Sequence, residues 1–186
     1  VQKNTQDEVS KIRNLKVGYY EAMHRFHNEG FGILGCFVFG FDFENKDVFD
    51  QTLEFIMKSH MDCAQLRILT PYPGTRLYKR LISEDRLFSH DWWLHGYPPD
   101  TLLYQPQGMT ADELINGFAR LNRQAYTFGA MAKRFFGMSP WKRTLFGCMV
   151  YAGINLSTRK RYLKSLKNPQ PFAGGFQLNS TVVETT

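Results

Sequence analysis

The chain has 186 residues, 43% of them apolar and 15% aromatic, which is enough to bury the core of one domain with or without an appendage. The longest apolar runs, 33–39 and 145–156, are shorter than the roughly 20 residues of a membrane-spanning helix, and no signal-like segment is present. Because the sequence begins with Val1, we expect a soluble, cytoplasmic piece of a longer protein. The net charge of +6 is unevenly distributed. Residues 1–113 carry 12 Lys/Arg and 16 Asp/Glu, a charge of −4, whereas residues 114–183 carry +11 and have no acidic residue. One glutamate close to the C-terminus completes the sum. The basic last third is expected to meet an anionic partner.

The three cysteines, Cys36, Cys63 and Cys148, are far apart, and no two of them form a CxxC pair. This spacing disfavours a zinc site, a redox dithiol and a disulfide framework, so we expect three buried thiols. His24 and His27 are three residues apart on a predicted helix, but no further ligand joins them at metal-site spacing. We therefore expect a surface or packing role for both histidines.

The first half of the chain alternates predicted helices and strands. A helical face ends near Gly30, which is placed to follow the helix C-cap. Residues 31–40 are almost entirely apolar, which is typical of a strand buried on both faces in a parallel sheet. A helix capped by Asn45 and a second strand, 63–69, follow. Because a crossover helix joins the two strands, they should be parallel, which predicts an α/β fold whose further strands lie upstream.

Residues 66–81, LRILTPYPGTRLYKRL, predict a strand, a rigid turn and a helix. Pro71 and Pro73 must end the strand, Gly74 supplies backbone freedom, and Thr75 is a good N-cap. Active sites of α/β proteins lie at the carboxyl ends of strands, where this turn would be. An ordinary strand-to-helix connection is the alternative interpretation.

The second half is predicted to be helical. Residues 90–107 are rich in aromatic residues and proline and are expected to form an ordered loop over a pocket mouth. A capping box, Thr110 to Glu113, should open a long helix that runs past Phe128 to Gly137. A helix from Ser139-Pro140 and a separate basic helix over residues 156–166 are expected next. The remaining residues have the composition of a disordered tail.

Three stretches together resemble the second half of the radical S-adenosylmethionine (SAM) core, in its cobalamin-associated branch. Residues 30–44, GFGILGCFVFGFDFE, resemble the fifth strand of that partial (β/α) barrel, and Gly40 and Glu44 match the spacing of a Gly-x-x-x-Glu loop. The stretch TPYPGT, followed by Leu77 and Tyr78, is similar to the sixth strand and its turn. Residues 81–109 resemble the start of a helical extension that follows the barrel. The resemblance covers roughly residues 10–165.

This resemblance implies the C-terminal part of a partial (β/α) TIM-like barrel, an α/β fold, followed by an α-helical extension. Residues 1–88 would form the C-terminal half of the core, residues 89–167 the helical extension, and residues 168–186 a disordered tail. It also implies that one group of residues lies beside SAM: Gly35, Phe37, Gly40, Glu44, Leu69, Thr70 and Pro71. Tyr72, Tyr78 and Trp92 would line the pocket of a small-molecule substrate, with Trp93 and Tyr97 as further aromatic candidates.

The chemistry of the radical SAM family depends on a CxxxCxxC loop that holds a [4Fe–4S] cluster. This chain has no such loop, so we expect it to contain no catalytic residue and no metal ligand. The cluster, and cobalamin where the enzyme uses it, would belong to the N-terminal half of the same protein, which is then an expected partner. The fragment alone should be inactive.

Two alternatives remain open at this point. In the first, the basic helices form a binding module in which Trp141, Phe146 and Tyr151, beside Arg143, Arg159 and Lys160, meet an anionic membrane surface, a phosphorylated ligand or RNA. Nucleic acid is the weaker version, because no known module pattern is present. In the second, an unrelated barrel enzyme uses Asp42 or Glu44 as an acid or base, although neither has a partner residue at meaningful spacing.

Overall fold

The structure is a computed structural model that describes residues 18–97, 100–137 and 144–167. Its elements in chain order are α1 (Tyr19–Asn28), β1 (Leu34–Phe39), α2 (Val48–Lys58), β2 (Cys63–Ile68), α3 (Arg76–Ser83), a 3₁₀ turn (Trp92–Leu94), α4 (Ala111–Ala125), α5 (Phe128–Phe135) and α6 (Leu145–Lys167). The predicted helix start at Ser139-Pro140 and the predicted tail over residues 168–186 lie outside the described residues.

The two strands are parallel, in a register that pairs Leu34 with Cys63 and Phe39 with Ile68. Helix α2 connects them, which confirms the predicted βαβ unit and a mixed α/β fold. Within the described residues the sheet has these two strands alone, so the barrel stays a prediction. One core cluster contains Leu81 as well as Leu114, which lie on either side of the predicted boundary at residue 88.

The two faces of the sheet have different surroundings. Phe39 and Ile68 point toward the helices and belong to the core, which also contains Ile56 of α2 and Leu121 of α4. On the opposite face, Leu34, Cys36 and Val38 of β1 are all exposed. The prediction that β1 is buried on both faces is therefore wrong for this chain, because its described elements leave these three side chains exposed and α6 approaches only the amino end of the face, where Val150 and Ile154 line a pocket with Leu34. We call this face the open face.

The cysteines also differ from the prediction of three buried thiols. Cys63 is buried at the start of β2, but Cys36 is exposed on the open face and Cys148 of α6 is half-buried. His27 is buried, which confirms a packing role for that histidine, and its Nε2 atom lies 3.1 Å from Asp62 Oδ2.

Local signals at two helix ends are confirmed. Gly30 has a positive φ of 83° after the Glu29 C-cap, and its N–H donates to His27 O at 3.0 Å. The N–H of Phe31 donates to Phe26 O at 3.0 Å, so the two bonds form a Schellman motif, and the rings of Phe26 and Phe31 pack edge to face as such motifs favour. At the start of α4, the Thr110–Glu113 capping box is present.

The C-terminal helices differ from the prediction in two ways. The expected long helix divides after Ala125, and Thr127 caps α5 by accepting a hydrogen bond from Ala130 N at 3.1 Å. The break positions the Tyr126 hydroxyl on β2, where it donates to the carbonyl oxygen of Ala64. The two helices expected around Tyr151 and residues 156–166 are instead one continuous helix, α6.

A buried polar network joins the helical half to the sheet. The guanidinium of Arg134 is fully buried and donates to Met61 O at 3.1 Å, Ala125 O at 2.9 Å and Asn155 Oδ1 at 3.2 Å. Asn155 of α6 also donates to Asp62 O at 3.0 Å. These bonds fix α5 and α6 at the beginning of β2, the end of the sheet remote from the TPYPGT turn.

Candidate functional site

The loop after β1 is closed by its own glutamate. Glu44 is buried, and its Oε2 accepts hydrogen bonds from Gly40 N at 2.7 Å and Phe41 N at 3.1 Å. Gly40 has a φ of 106°, which favours glycine. The Gly-x-x-x-Glu spacing therefore defines a folded loop at the carboxyl end of β1, in which the Glu44 carboxylate fixes the backbone.

Side chains of the same chain explain two of the glycines. A Cβ atom at Gly35 would collide with Met61, and one at Gly40 would collide with the Tyr104 hydroxyl, which donates to Gly40 O at 2.5 Å. The Phe37 ring also lies on the helix-covered face, where it packs edge to face with Phe55. An adenosyl group could approach the backbone here only from the side away from these contacts.

Gly108 is a loop residue that the sequence did not single out. A Cβ atom at Gly108 would collide with the backbone oxygen of Glu44, so glycine at this position lets residues 107–109 pass close to the loop. The sequence signal was a lone glycine beside proline and glutamine, which is too common in loops to indicate a close backbone approach.

The TPYPGT turn lies at the same edge of the sheet. The N–H of Leu69 donates to Phe39 O at 2.8 Å, which continues the parallel pairing beyond β2. Pro73 and Gly74, with φ of 83° at the glycine, are the central residues of a turn closed by Thr75 N–H to Tyr72 O at 3.2 Å, the pattern of a type II turn. The structure thus brings Leu69, Thr70 and Pro71 to the edge that Gly40 and Glu44 occupy.

Thr75 is the predicted N-cap of α3. Its hydroxyl accepts a hydrogen bond from Tyr78 N at 3.2 Å and donates to Tyr72 O at 2.7 Å. The threonine side chain therefore joins the TPYPGT turn to the first turn of α3.

Aromatic side chains gather beside this turn. Trp92 donates from Nε1 to Pro71 O at 3.2 Å, and its ring contacts those of Tyr72, at 5.9 Å, and Trp93, at 6.1 Å. Tyr78 packs on Trp93 and donates its hydroxyl to His90 O at 2.7 Å. The three residues predicted to line a substrate pocket, Tyr72, Tyr78 and Trp92, are therefore neighbours, and Trp93 belongs with them. We call these four residues the aromatic wall.

The aromatic wall is partly open to solvent. Tyr72 is 62% exposed and Trp93 is 44% exposed. Apolar rings that stay exposed at a strand end, rather than in the core, can offer flat faces to a ligand.

Asp42 and Glu44 both have structural contacts, which disfavours the acid–base alternative. Arg80 and Arg86 donate to the two oxygens of the Asp42 carboxylate, at 2.6 and 2.5 Å. Burial alone would lower the pKa of the Arg86 guanidinium, but hydrogen bonds with Asp42 and Glu84 outweigh it, so its pKa is raised above the ordinary value. The Asp42 carboxylate thus joins the loop after β1 to α3 and to the chain that follows it.

One charged pair at this edge has no sequence signal. Arg67, on the open face near the end of β2, donates from Nη1 to Asp100 Oδ2 at 3.0 Å. Asp100 has a positive φ of 69° and also accepts from Ile68 N at 3.3 Å. The two residues are 33 positions apart, and neither belongs to a local motif.

Two residues predicted for the basic binding module, Tyr151 and Arg159, make contacts within the protein instead. Tyr151 is buried and donates to Met131 O at 2.7 Å, and Arg159 donates to Tyr126 O at 2.6 Å while its guanidinium lies over the Phe128 ring. Both therefore hold α6 against the protein. Phe146 and Lys160 are exposed, as predicted, whereas Trp141 and Arg143 lie outside the described residues.

In the part of the chain that the structure describes, His, Cys, Asp and Glu side chains form no group of three or more that could hold a metal ion. Likewise, within those residues, no helix is long and apolar enough to cross a membrane.

No protein-family model matches the chain, and no solved structure matches it significantly. It is 29% identical over 129 residues to the bacteriochlorophyllide d C-12(1)-methyltransferase of Chlorobaculum tepidum, covering 69% of this chain and 27% of that enzyme. It is 40% identical over 63 residues to an uncharacterized methyltransferase of Pyrococcus horikoshii, covering 34% of this chain and 14% of the relative.

A third relative is the anaerobic magnesium-protoporphyrin IX monomethyl ester cyclase of Cereibacter sphaeroides, 28% identical over 119 residues, which cover 61% of this chain and 18% of the cyclase. The chain thus spans 14% to 27% of the length of these three curated relatives. These relatives are enzymes, two methyltransferases and a cyclase. The similarity supports a general resemblance to radical SAM enzymes.

Proposed function

We propose that this chain is the C-terminal portion of a radical SAM enzyme that modifies a tetrapyrrole. The carboxyl edge of the sheet carries the proposal, because the loop closed by Glu44 and the TPYPGT turn meet there through the bond between Leu69 N and Phe39 O. Two of the relatives reported above are named for bacteriochlorophyllide d and magnesium-protoporphyrin IX, both of which are tetrapyrroles.

The residues at this edge fit part of a SAM site. The backbone of Leu69, Thr70 and Pro71 follows the end of β2, beside the Gly40 loop, and Val38, near it on the open face, is exposed. SAM bound there supplies the methyl or radical chemistry of the family. The residues of this chain would position the adenosyl group and exclude water from it.

The cysteines of this chain do not fit a [4Fe–4S] cluster. Cys36 pairs with Gln65 across the sheet and Cys63 pairs with Leu34, so the two thiols are not cross-strand partners, and Cys148 lies on α6. A cluster needs a set of converging thiolates. We therefore assign the cluster ligands, and any cobalamin site, to the N-terminal half of the same protein.

The open face supports the same assignment. Leu34 and Val38 are exposed apolar side chains, and β1 has an edge that no described strand pairs. An uncovered apolar strand edge is a liability for a free chain. Strands from the N-terminal half would cover the face and the edge, and this chain alone would be inactive.

The aromatic wall is the proposed substrate surface. A tetrapyrrole is a large, flat, conjugated ring, and exposed aromatic side chains such as Tyr72 and Trp93 can pack against its face. Trp92 is held by Pro71 O and Tyr78 by His90 O, so the hydrogen bonds of these two residues orient the wall.

The test uses the full-length protein, reconstituted anaerobically with iron and sulfide. We expect iron–sulfur absorption, reductive cleavage of SAM, and SAM-dependent conversion of a bacteriochlorophyllide or of magnesium-protoporphyrin monomethyl ester. Absence of both iron–sulfur absorption and SAM cleavage would contradict the radical SAM assignment. SAM cleavage with no change in any tetrapyrrole would contradict the substrate class alone.

A further inference from the structure

Helix α6 is attached to the protein by polar side chains. Tyr151, Asn155 and Tyr162 are buried and donate hydrogen bonds to backbone oxygens, the last from the Tyr162 hydroxyl to Ala119 O at 2.7 Å. Helices of globular proteins usually bury their apolar residues instead. The polarity of α6 is therefore largely inverted: Val150 and Ile154 line a pocket beside Leu34, whereas Leu145, Phe146, Met149 and Leu156 are exposed.

The outward side of α6 begins with an uncharged half. Leu145 is 79% exposed and Phe146 is 71% exposed, and Met149 and Leu156 are exposed as well. Residues 145–156 contain no charged side chain, and at 1.5 Å per residue they span about 18 Å. Phe136, just after α5, adds another exposed ring. Large apolar side chains exposed together along one helix mark an interaction surface.

The second half of the same helix is basic. Lys160, Arg161 and Lys164 are exposed, and residues 114–183 contain no acidic residue that could neutralise them. Arg159 is directed inward and does not contribute. The outward surface of α6 therefore changes along its length from apolar to cationic. We call residues 145–164 on this side the α6 surface.

The charge and the apolar side chains of the α6 surface favour one of three possible partners: a second copy of the chain, RNA or an anionic bilayer. A second copy of the chain would bring two segments of +11 together, which like-charge repulsion opposes. RNA would suit the cations, but single strands bind through stacked aromatic rings, whereas the uncharged half presents mainly aliphatic side chains. An anionic bilayer suits both halves, because apolar side chains enter the headgroup boundary and cations attract acidic lipids.

We infer that the α6 surface docks on a bilayer that carries anionic headgroups. The uncharged half lies at the boundary between headgroups and acyl chains, and Lys160, Arg161 and Lys164 contact the headgroup phosphates. The uncharged half spans about 18 Å, which is shorter than the roughly 30 Å hydrocarbon core of a bilayer, so α6 lies in the interface plane. This attachment is a separate property from the SAM chemistry proposed above.

The test is flotation of the full-length protein with vesicles of phosphatidylcholine alone, and of an equal mixture of phosphatidylcholine and phosphatidylglycerol. We expect binding to the anionic vesicles only, and weaker binding in high salt. The variants K160E/K164E and F146S/M149S should each lower the vesicle partition coefficient by on the order of tenfold or more. The matched controls, K46E/K79E and Ile82→Ser, alter exposed residues of α3 and the β1–α2 connection and should bind as the parent does.

Three outcomes of the vesicle experiment would overturn the inference: no flotation, equal binding to both kinds of vesicle, or α6-surface variants that bind as well as the controls. Concentration-dependent dimerisation that F146S/M149S abolishes, or salt-sensitive RNA binding without flotation, would assign the surface to another partner and also overturn it. Thermal unfolding identifies variants that fail to fold. SAM cleavage without vesicles should be unchanged in every variant, so failure here is distinguishable from failure of the proposed function.

Discussion

The two ends of the parallel sheet are built differently. At the amino end, Arg134 and Asn155 make buried hydrogen bonds to the segment that leads into β2. At the carboxyl end, the Gly40 loop and the TPYPGT turn are held by Glu44, by the Tyr104 hydroxyl, by the ion pairs of Asp42 and by the Thr75 cap, beside a partly exposed aromatic wall. Both ends therefore stabilise the fold, but the carboxyl end also presents the exposed rings of Tyr72 and Trp93 to solvent, where a ligand can reach them.

We expect the largest loss of stability from Arg134→Ala at the amino end. The substitution leaves buried carbonyl oxygens of Met61 and Ala125 without their donor, and each unsatisfied buried group costs about 1–3 kcal/mol. We expect the free energy of unfolding of the full-length protein to fall by about 4 kcal/mol, measured by urea denaturation. Lys133→Ala, on the exposed side of the same helix, is the control and should change it by less than about 0.5 kcal/mol.

Two glycine variants test which backbone contacts at the carboxyl end contribute to stability and to SAM binding. Gly40→Ala introduces a Cβ at positive φ that collides with Tyr104, whereas Gly74→Ala, also at positive φ, meets no atom within 4 Å. We expect a loss of unfolding free energy of about 2–3 kcal/mol for Gly40→Ala and about 1 kcal/mol for Gly74→Ala. Equal losses would show that the contact with Tyr104 has no energetic role. SAM affinity, measured by calorimetry, should fall only for Gly40→Ala.

The aromatic wall predicts an effect on substrate binding with little effect on stability. Tyr72→Ala removes an exposed ring, so the unfolding free energy should change by less than about 0.5 kcal/mol. We expect KM for the tetrapyrrole to rise by about two- to tenfold, since an aromatic contact is worth about 0.5–1.5 kcal/mol. SAM cleavage without substrate should remain unchanged. Tyr20→Ala, which removes an exposed ring of α1, is the control.

The buried phenols near the amino end predict a pH dependence. Burial raises the pKa of Tyr126 and of Tyr151 above the ordinary tyrosine value. A pKa that is higher in the folded than in the unfolded protein gives stability that is present below about pH 10 and is lost as the pH rises further. We expect the unfolding free energy to decline above that pH. Tyr151→Phe should cost about 1 kcal/mol at neutral pH through the lost bond to Met131 O, and should make the alkaline decline less steep.

Local signals in the sequence predicted much of the carboxyl end. Thr75 as an N-cap and the Thr110 capping box each depend on residues within one helical turn, and both are confirmed. The predicted cap at Asn45 is wrong, because α2 begins after Asp47 and the Asn45 side chain instead accepts from Asp47 N. The parallel βαβ unit followed from hydrophobic pattern and chain order. Tyr72, Tyr78 and Trp92 were predicted to line a substrate pocket, which stays a prediction; they are neighbours in the structure, and their contacts span 21 residues or fewer.

The amino end could not be predicted in the same way, because its contacts are distant in sequence. Arg134 lies 73 residues from Met61, and nothing local distinguishes it from the exposed Lys133 beside it. The hydrophobic periodicity of the sequence continues from α4 into α5 and gives no sign of a break. The helix is nevertheless divided at Tyr126, whose hydroxyl donates to the carbonyl oxygen of Ala64, 62 residues away. The open face of β1 was missed because an apolar strand has the same pattern whether its own chain or another segment covers it.

The most direct test of the contrast between the two ends is hydrogen exchange of the reconstituted full-length protein with and without SAM and a tetrapyrrole. We predict slower amide exchange at residues 40–45 and 69–78 when the ligands are present, and unchanged exchange at residues 59–63 and 125–137. Protection at the second pair of segments, with none at the first, would contradict the assignment of the carboxyl edge as the functional end of this chain.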